Sequence, residues 1–140
     1  MTRTIGLVAC CGKKLDHPAP ARELYQSALF KLSRAYVERH CPDGWAILSA
    51  KHGLVLPRQI VQPYDRSLAH LSQEARMSWA HRTNRELVAR FPGARFVVLA
   101  GERYLLALCA PLGKPLVYEA PLAGLGIGER LAWLKARVEG

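Results

Sequence analysis

Three largely apolar runs of six residues, Thr4 to Ala9 (TIGLVA), Trp45 to Ala50 (WAILSA) and Arg95 to Ala100 (RFVVLA), each break off into a turn of glycine and charged residues. Runs that short, apolar on both alternating faces, are expected to be buried strands of a parallel sheet. Stretches of helical period separate them. Leu24, Ala28, Leu32 and Ala35 share one face of a helix expected over 21–39, with Pro20 near its first turn. Ser72 stands where it can cap a helix running to about Arg90, and Pro92-Gly93 stops it. A shorter helix is expected from Gly101-Glu102-Arg103-Tyr104 to about Ala110, then a weaker fourth strand over Pro115 to Glu119. Ile127, Leu131, Leu134 and Val138 mark a closing helix. The segment from Lys51 to Leu71 reads as a loop of a length that is commonly functional. Strand and helix alternate, so the expected fold class is α/β: a single three-layer α/β/α domain over residues 1–140, built on a four-stranded, mainly parallel sheet.

Charge narrows the partners. Lysine and arginine outnumber acids 20 to 11, a formal net charge of +9, and 14 of the 20 are arginine, whose planar fork suits phosphate and carboxylate. On a helical wheel Arg76, Arg82, Arg85 and Arg90 point in different directions and form no single stripe. No apolar stretch approaches the roughly 20 residues that span a bilayer, and the short run before Gly12-Lys13-Lys14 does not make a secretory signal, so no membrane partner and a cytoplasmic location are expected. Four cysteines, at 10, 11, 41 and 109, form no C-x-x-C pair, which argues against a zinc framework or a thioredoxin-type motif. Free thiols are expected, with Cys41 and Cys109 acting as small hydrophobes. Neither a metal nor a cofactor is expected. Trp45, Trp79 and Trp133 read as packing residues.

In open α/β sheets ligands lie beyond the carboxyl ends of the strands, and there the unusual residues collect. After the first strand, Gly12 permits a positive φ that turns amides toward an anion, while Lys13 and Lys14 add charge and Cys11 is a candidate nucleophile. After the second, Lys51 is placed to hold a negative group and His52 to act as acid or base near neutral pH. Tyr64 and Asp65 offer an aromatic plate beside a carboxylate. Gly101 and the turn Gly124-Leu125-Gly126-Ile127-Gly128 put glycine at passages into helices, where backbone amides meet oxyanions. Each of these also has a plainer structural reading as a turn or a surface residue.

V-A-C-C-G-K-K-L near the start, A-R-E-L-Y (21–25), I-L-S-A-K-H-G-L-V (47–55), P-Y-D (63–65), L-A-G-x-x-Y (99–104) and P-L-A-G-L-G-I-G (121–128) come in the order found in a family of small bacterial proteins defined as a domain of unknown function, which the chain resembles over nearly its whole length. Cys10 stands where that family usually has serine. The layout also resembles, more distantly, the uracil-DNA glycosylase superfamily, which implies a base held at the strand ends and hydrolysis of its glycosidic bond. The first loop, however, is Cys-Cys-Gly-Lys-Lys rather than Gly-Gln-Asp-Pro, and no His-Pro-Ser segment follows the last strand.

Residues and resemblance together lead to the expectation of a domain that recognises a nucleobase or nucleotide, with N-glycosidic hydrolysis of nucleic acid as its reaction. Lys13, Lys14 and Lys51 would hold phosphate, Tyr25 or Tyr64 would stack on a base, and Asp65, His52 or Cys11 would carry the chemistry, with Gly12, Gly101, Tyr104, Gly124, Gly126 and Gly128 lining the ligand. The alternative is a non-catalytic module for a small anionic metabolite or an acidic partner.

Overall fold

The computed structural model describes residues 2–10, 12–109 and 115–139. Strand β1 (Thr4–Ala9) leads through β2 (Ala19–Pro20) and α1 (Ala21–Leu24) into α2 (Ala28–His40). Then come β3 (Trp45–Ser49), β4 (Gly53–Val55), β5 (Ile60–Val61) and a 3-10 turn (Leu68–His70) before the long helix α3 (Gln73–Arg90). After β6 (Arg95–Leu99) a second 3-10 turn (Glu102–Leu105) passes into α4 (Leu106–Cys109), and β7 (Tyr118–Glu119) and α5 (Ile127–Val138) complete the order.

Five strands form one sheet in the order β4-β3-β1-β6-β7, while β2 and β5 pair separately. β1 runs parallel to β3 and to β6, and β6 parallel to β7, whereas β4 folds back antiparallel on β3 with Ser49 opposite Gly53. The expected four-stranded sheet thus gains an antiparallel edge. Gly53 makes the hairpin possible, because its φ of 74° lies where a side chain is strained. The expected loop from Lys51 to Leu71 is correspondingly shorter, since β4, β5 and a 3-10 turn occupy part of it. The fourth expected strand is confined to Tyr118 and Glu119.

Successive side chains of a strand point to opposite faces, and the two cores follow that rule. Ile5, Leu7, Ala9, Ala46, Leu48, Phe96 and Val98 pack under α3 and α4, through Trp79, Ala80, Leu87, Ala107 and Leu108. Val8, Cys10, Ile47, Val97 and Leu99 pack under α1, α2 and α5, through Leu24, Phe30, Val37 and Leu134. Helices therefore cover both faces. Ser72 does cap α3, its Oγ accepting the Ala75 N–H at 3.1 Å.

One expected helix is broken. Over 21–39 the chain forms α1 and α2, with Tyr25 extended between them at φ −87° and ψ 127°. The loop after β1 causes the break: Lys14 bridges Tyr25, Leu15 N–H donates to the Leu24 carbonyl at 2.8 Å, and Gln26 N–H donates to the Lys13 carbonyl at 2.7 Å. Those groups are then lost to an uninterrupted helix, and α2 restarts where Ser27 Oγ accepts the Phe30 N–H at 3.1 Å. Among the described residues Cys10, Cys41 and Cys109 are free thiols. Cys41 is buried as expected, but Cys109 is exposed on the outer side of α4 and so is no core hydrophobe.

Candidate functional site

The loop after β1 and the hairpin after β3 meet over Tyr64. Its hydroxyl lies 2.6 Å from Ser49 Oγ and 2.7 Å from the Tyr25 hydroxyl, and Ser49 Oγ in turn accepts the His52 N–H at 3.1 Å. Lys14 Nζ stands 4.6 Å from the Tyr64 ring centre and 5.6 Å from that of Tyr25, while Lys51 Nζ is 5.8 Å from the Tyr64 ring. The electron-rich Tyr64 ring thus attracts both ammonium groups. The His52 imidazole stands edge-on to the Tyr64 ring, 5.3 Å between centres. Lys14 Nζ also reaches the Gly12 carbonyl at 3.4 Å, and Gly12 takes the expected positive φ, 68°.

Burial, then the neighbouring Cys10 and Tyr25, hold the Tyr64 phenol far above its ordinary pKa, against the Ser49 hydrogen bond that favours ionisation. It therefore stays a neutral hydroxyl and a donor. A Tyr64→Phe variant strips a partner from two buried hydroxyls, those of Ser49 and Tyr25. Chemical denaturation should show a loss of about 1–3 kcal/mol, and an unchanged midpoint would mean that these hydroxyls find other partners.

Tyr104 joins the neighbouring strand ends. Its hydroxyl donates to the Cys10 carbonyl at 3.3 Å and lies 3.4 Å from Cys10 Sγ, and its ring meets Trp79 edge to face at 5.6 Å. Trp79 is buried and its indole N–H donates to the Ser49 carbonyl at 2.8 Å, so the packing role expected of it also braces the hairpin.

Beside this cluster lies an open hollow of about 620 Å³. Lys51, Arg66, Arg82 and Arg85 line it, with the hydroxyls of Ser72 and Ser78 and a single carboxylate, Glu74. Among the described residues none of these four cations is in an ion pair. The α3 arginines do diverge as their wheel angles suggest: Arg82 and Arg85 face this hollow, Arg76 faces one shared with Arg103, and Arg90 one shared with Arg22, Arg34 and Arg58.

His52 records the field. Desolvation first, then the charges of Lys51, Arg82 and Arg66, depress its pKa below the ordinary value. The imidazole is accordingly neutral near pH 7 and able to accept a proton.

The structure thus gathers Gly12, Lys14, Tyr25, Lys51, His52, Tyr64 and Tyr104 at one rim of the sheet. Tyr25, at 1% exposure, has no free face on which a base could stack; it is a buried support for Tyr64. Lys13 is exposed and enters the rim through its carbonyl. Asp65 is exposed and joins none of the contacts above. Cys11 lies outside the described residues. Gly101 precedes the 3-10 turn that carries Tyr104. Gly124, Gly126 and Gly128 precede or open α5, where the Gly126 N–H is already engaged by Glu129 Oε1 at 3.2 Å. Sequence reasoning missed Ser49, Arg66, Arg82 and Arg85 as site residues. Only the i, i+3 spacing of the last two signalled a shared face.

A family model whose description is a family of unknown function matches residues 5–136. No curated protein and no solved structure matches the chain.

Proposed function

The chain belongs to DUF6884, a family of unknown function, and from the rim just described we propose that it binds single-stranded nucleic acid. One observation carries the proposal: Lys14, Lys51, Arg66, Arg82 and Arg85 stand around one strand-end rim, outside any ion pair among the described residues. Cations paired with nearby carboxylates would be spent, whereas these are open to phosphate. The lysines above Tyr64 and the arginines of α3 supply sequence-independent grip, and His52 sits between them as the titratable group.

Fluorescence anisotropy with a labelled oligothymidylate tests this. Five phosphate contacts to a single strand should give a log–log salt slope of about −3 to −4. Salt-independent binding, or none at low salt, would overturn it. N-glycosidic hydrolysis is the finer reading, supported by a neutral imidazole at the rim of a phosphate-binding surface. Oligonucleotides carrying uracil, hypoxanthine or an alkylated base, treated with alkali after incubation, should then break at abasic sites, and His52→Gln should abolish the breakage. Uncut strands that still bind would leave a recognition module.

Phosphates near His52 add negative charge and raise its depressed pKa. Binding therefore takes up a proton and strengthens as pH falls from about 7 through the midpoint of the complex. An NMR titration should place the free midpoint below about 6.5 and move it upward on saturation. A stationary midpoint would put the phosphates elsewhere.

A further inference from the structure

The sheet order contains a switch point. From β1 the chain crosses by α2 to β3 on one side, then by α3 to β6 on the other side of β1, and these two helices lie on opposite faces. Connections that depart in opposite directions leave a crevice between the carboxyl ends of the two central strands. A hollow of about 210 Å³ occupies that place, between Cys10 at the end of β1 and Gly101 at the end of β6. It is distinct from the basic hollow beside Lys51, which lies against α3.

Its walls are mainly apolar, with Leu29, Leu99 and Leu122, and few polar groups reach it. Ser33 of α2 is 2% exposed and lines it. Arg130 comes over from α5 to form the remaining wall. Its Nε donates to the Leu125 carbonyl at 2.9 Å, which orients the guanidinium. Among the described residues no acceptor engages its two terminal nitrogens, and the nearest of these would lie 3.9 Å from a Cβ placed on Gly101. The glycine thus leaves open space in front of a braced, unspent fork. An apolar enclosure with a few convergent polar groups is the usual form of a small-molecule site.

We propose that this crevice binds a small carboxylic acid, its apolar body between the leucines and its carboxylate on Arg130. A planar carboxylate matches the guanidinium fork in shape, and its single charge balances Arg130, the one cation among the described lining residues, whereas a phosphate dianion would leave charge uncompensated in an apolar wall. Volume limits the ligand to a compact aliphatic or single-ring acid.

Benzoate, phenylacetate and 4-methylpentanoate are suitable probes, with benzamide and inorganic phosphate as controls, read by ligand-observed NMR and by thermal shift of the whole chain. At least one of the acids should bind, and more tightly than either control. Arg130→Gln should weaken that acid at least tenfold. Arg130→Lys, which keeps the charge but not the fork, should weaken it severalfold. Because Arg130 also holds the Leu125 carbonyl, Gly101→Leu supplies a second variant: Gly101 has a φ of −70°, open to any side chain, and leucine there fills the crevice and should abolish binding while Tm is kept. Failure of all three acids, equal binding of benzamide, stronger binding of phosphate, or affinity unchanged in Arg130→Gln would each overturn the assignment. Oligothymidylate binding, measured in Arg130→Gln and Arg130→Lys, should be unaffected, so the two proposals stand or fall separately.

Discussion

Replacing Gly6 by alanine should cost the protein about 2–3 kcal/mol of stability, a large share of what a domain of this size holds. Gly6 lies in the central strand, paired on one side with Trp45 and on the other with Val97. A Cβ there would come within 2.6 Å of Val37 Cγ1 and 2.7 Å of Val37 Cβ, both on α2. Atoms do not approach so closely, so the helix or the strand must move, and both belong to one packed core. Val37 is fully buried, so it cannot turn out into solvent to make room. The double variant Gly6→Ala/Val37→Ala should recover part of the loss, because it removes Cγ1 from the closest contact and, although Cβ stays at 2.7 Å, leaves space into which the two small side chains can shift. Urea titration of the four proteins of that cycle measures the coupling directly. Strict additivity would show that the strand and helix do not press on one another at this point.

The second large effect concerns binding. The triple variant Lys51→Gln/Arg82→Gln/Arg85→Gln removes three of the five rim cations, and on the nucleic-acid reading it should reduce the salt slope by about two units and affinity at low salt by about a hundredfold. Because these side chains are exposed and unpaired among the described residues, the melting temperature should hardly change. Lys14→Gln should act in the same direction with about one third of the effect on the slope. Substituting Arg90 and Arg58 instead, at the arginine-lined hollow between Pro57 and Phe91, should leave binding nearly intact. If the two sets weaken binding equally, the protein attracts the strand by net charge alone and the rim has no special role.

The parallel strands were readable because each is a short apolar run cut off by charged residues or glycine: β1 spans Thr4–Ala9, and β3 and β6 begin at Trp45 and Arg95 as expected. The start of α3 was readable from Ser72, whose hydroxyl acts on the local backbone. What escaped was set by contacts distant in sequence. The break at Tyr25 depends on Lys13 to Leu15, and no propensity near residue 25 reports their arrival. β4 and β5 are too short, at three and two residues, for alternation to register. At the site, strand-end position drew attention to Lys14, Lys51, His52, Tyr64 and Tyr104, which the structure brings to one rim. Tyr25, by contrast, is itself buried and pairs its hydroxyl with that of Tyr64, and the identity of a tyrosine does not disclose whether its ring faces water or the core. The contribution of Arg130 was hidden for a related reason: it sits beyond a glycine-rich turn that drew the attention, and only the return of α5 over the end of β6 gives it a place.

The stitching of Lys13, Lys14 and Leu15 to Leu24, Tyr25 and Gln26 has a kinetic implication. A lysine on a free loop would have to be immobilised at every encounter, at an entropic expense that lowers the yield of productive collisions. On the nucleic-acid reading, the backbone beneath Lys14 is already fixed when the strand arrives. Capture should therefore proceed in one bimolecular step at a speed governed by long-range attraction, with no slower rearrangement after contact.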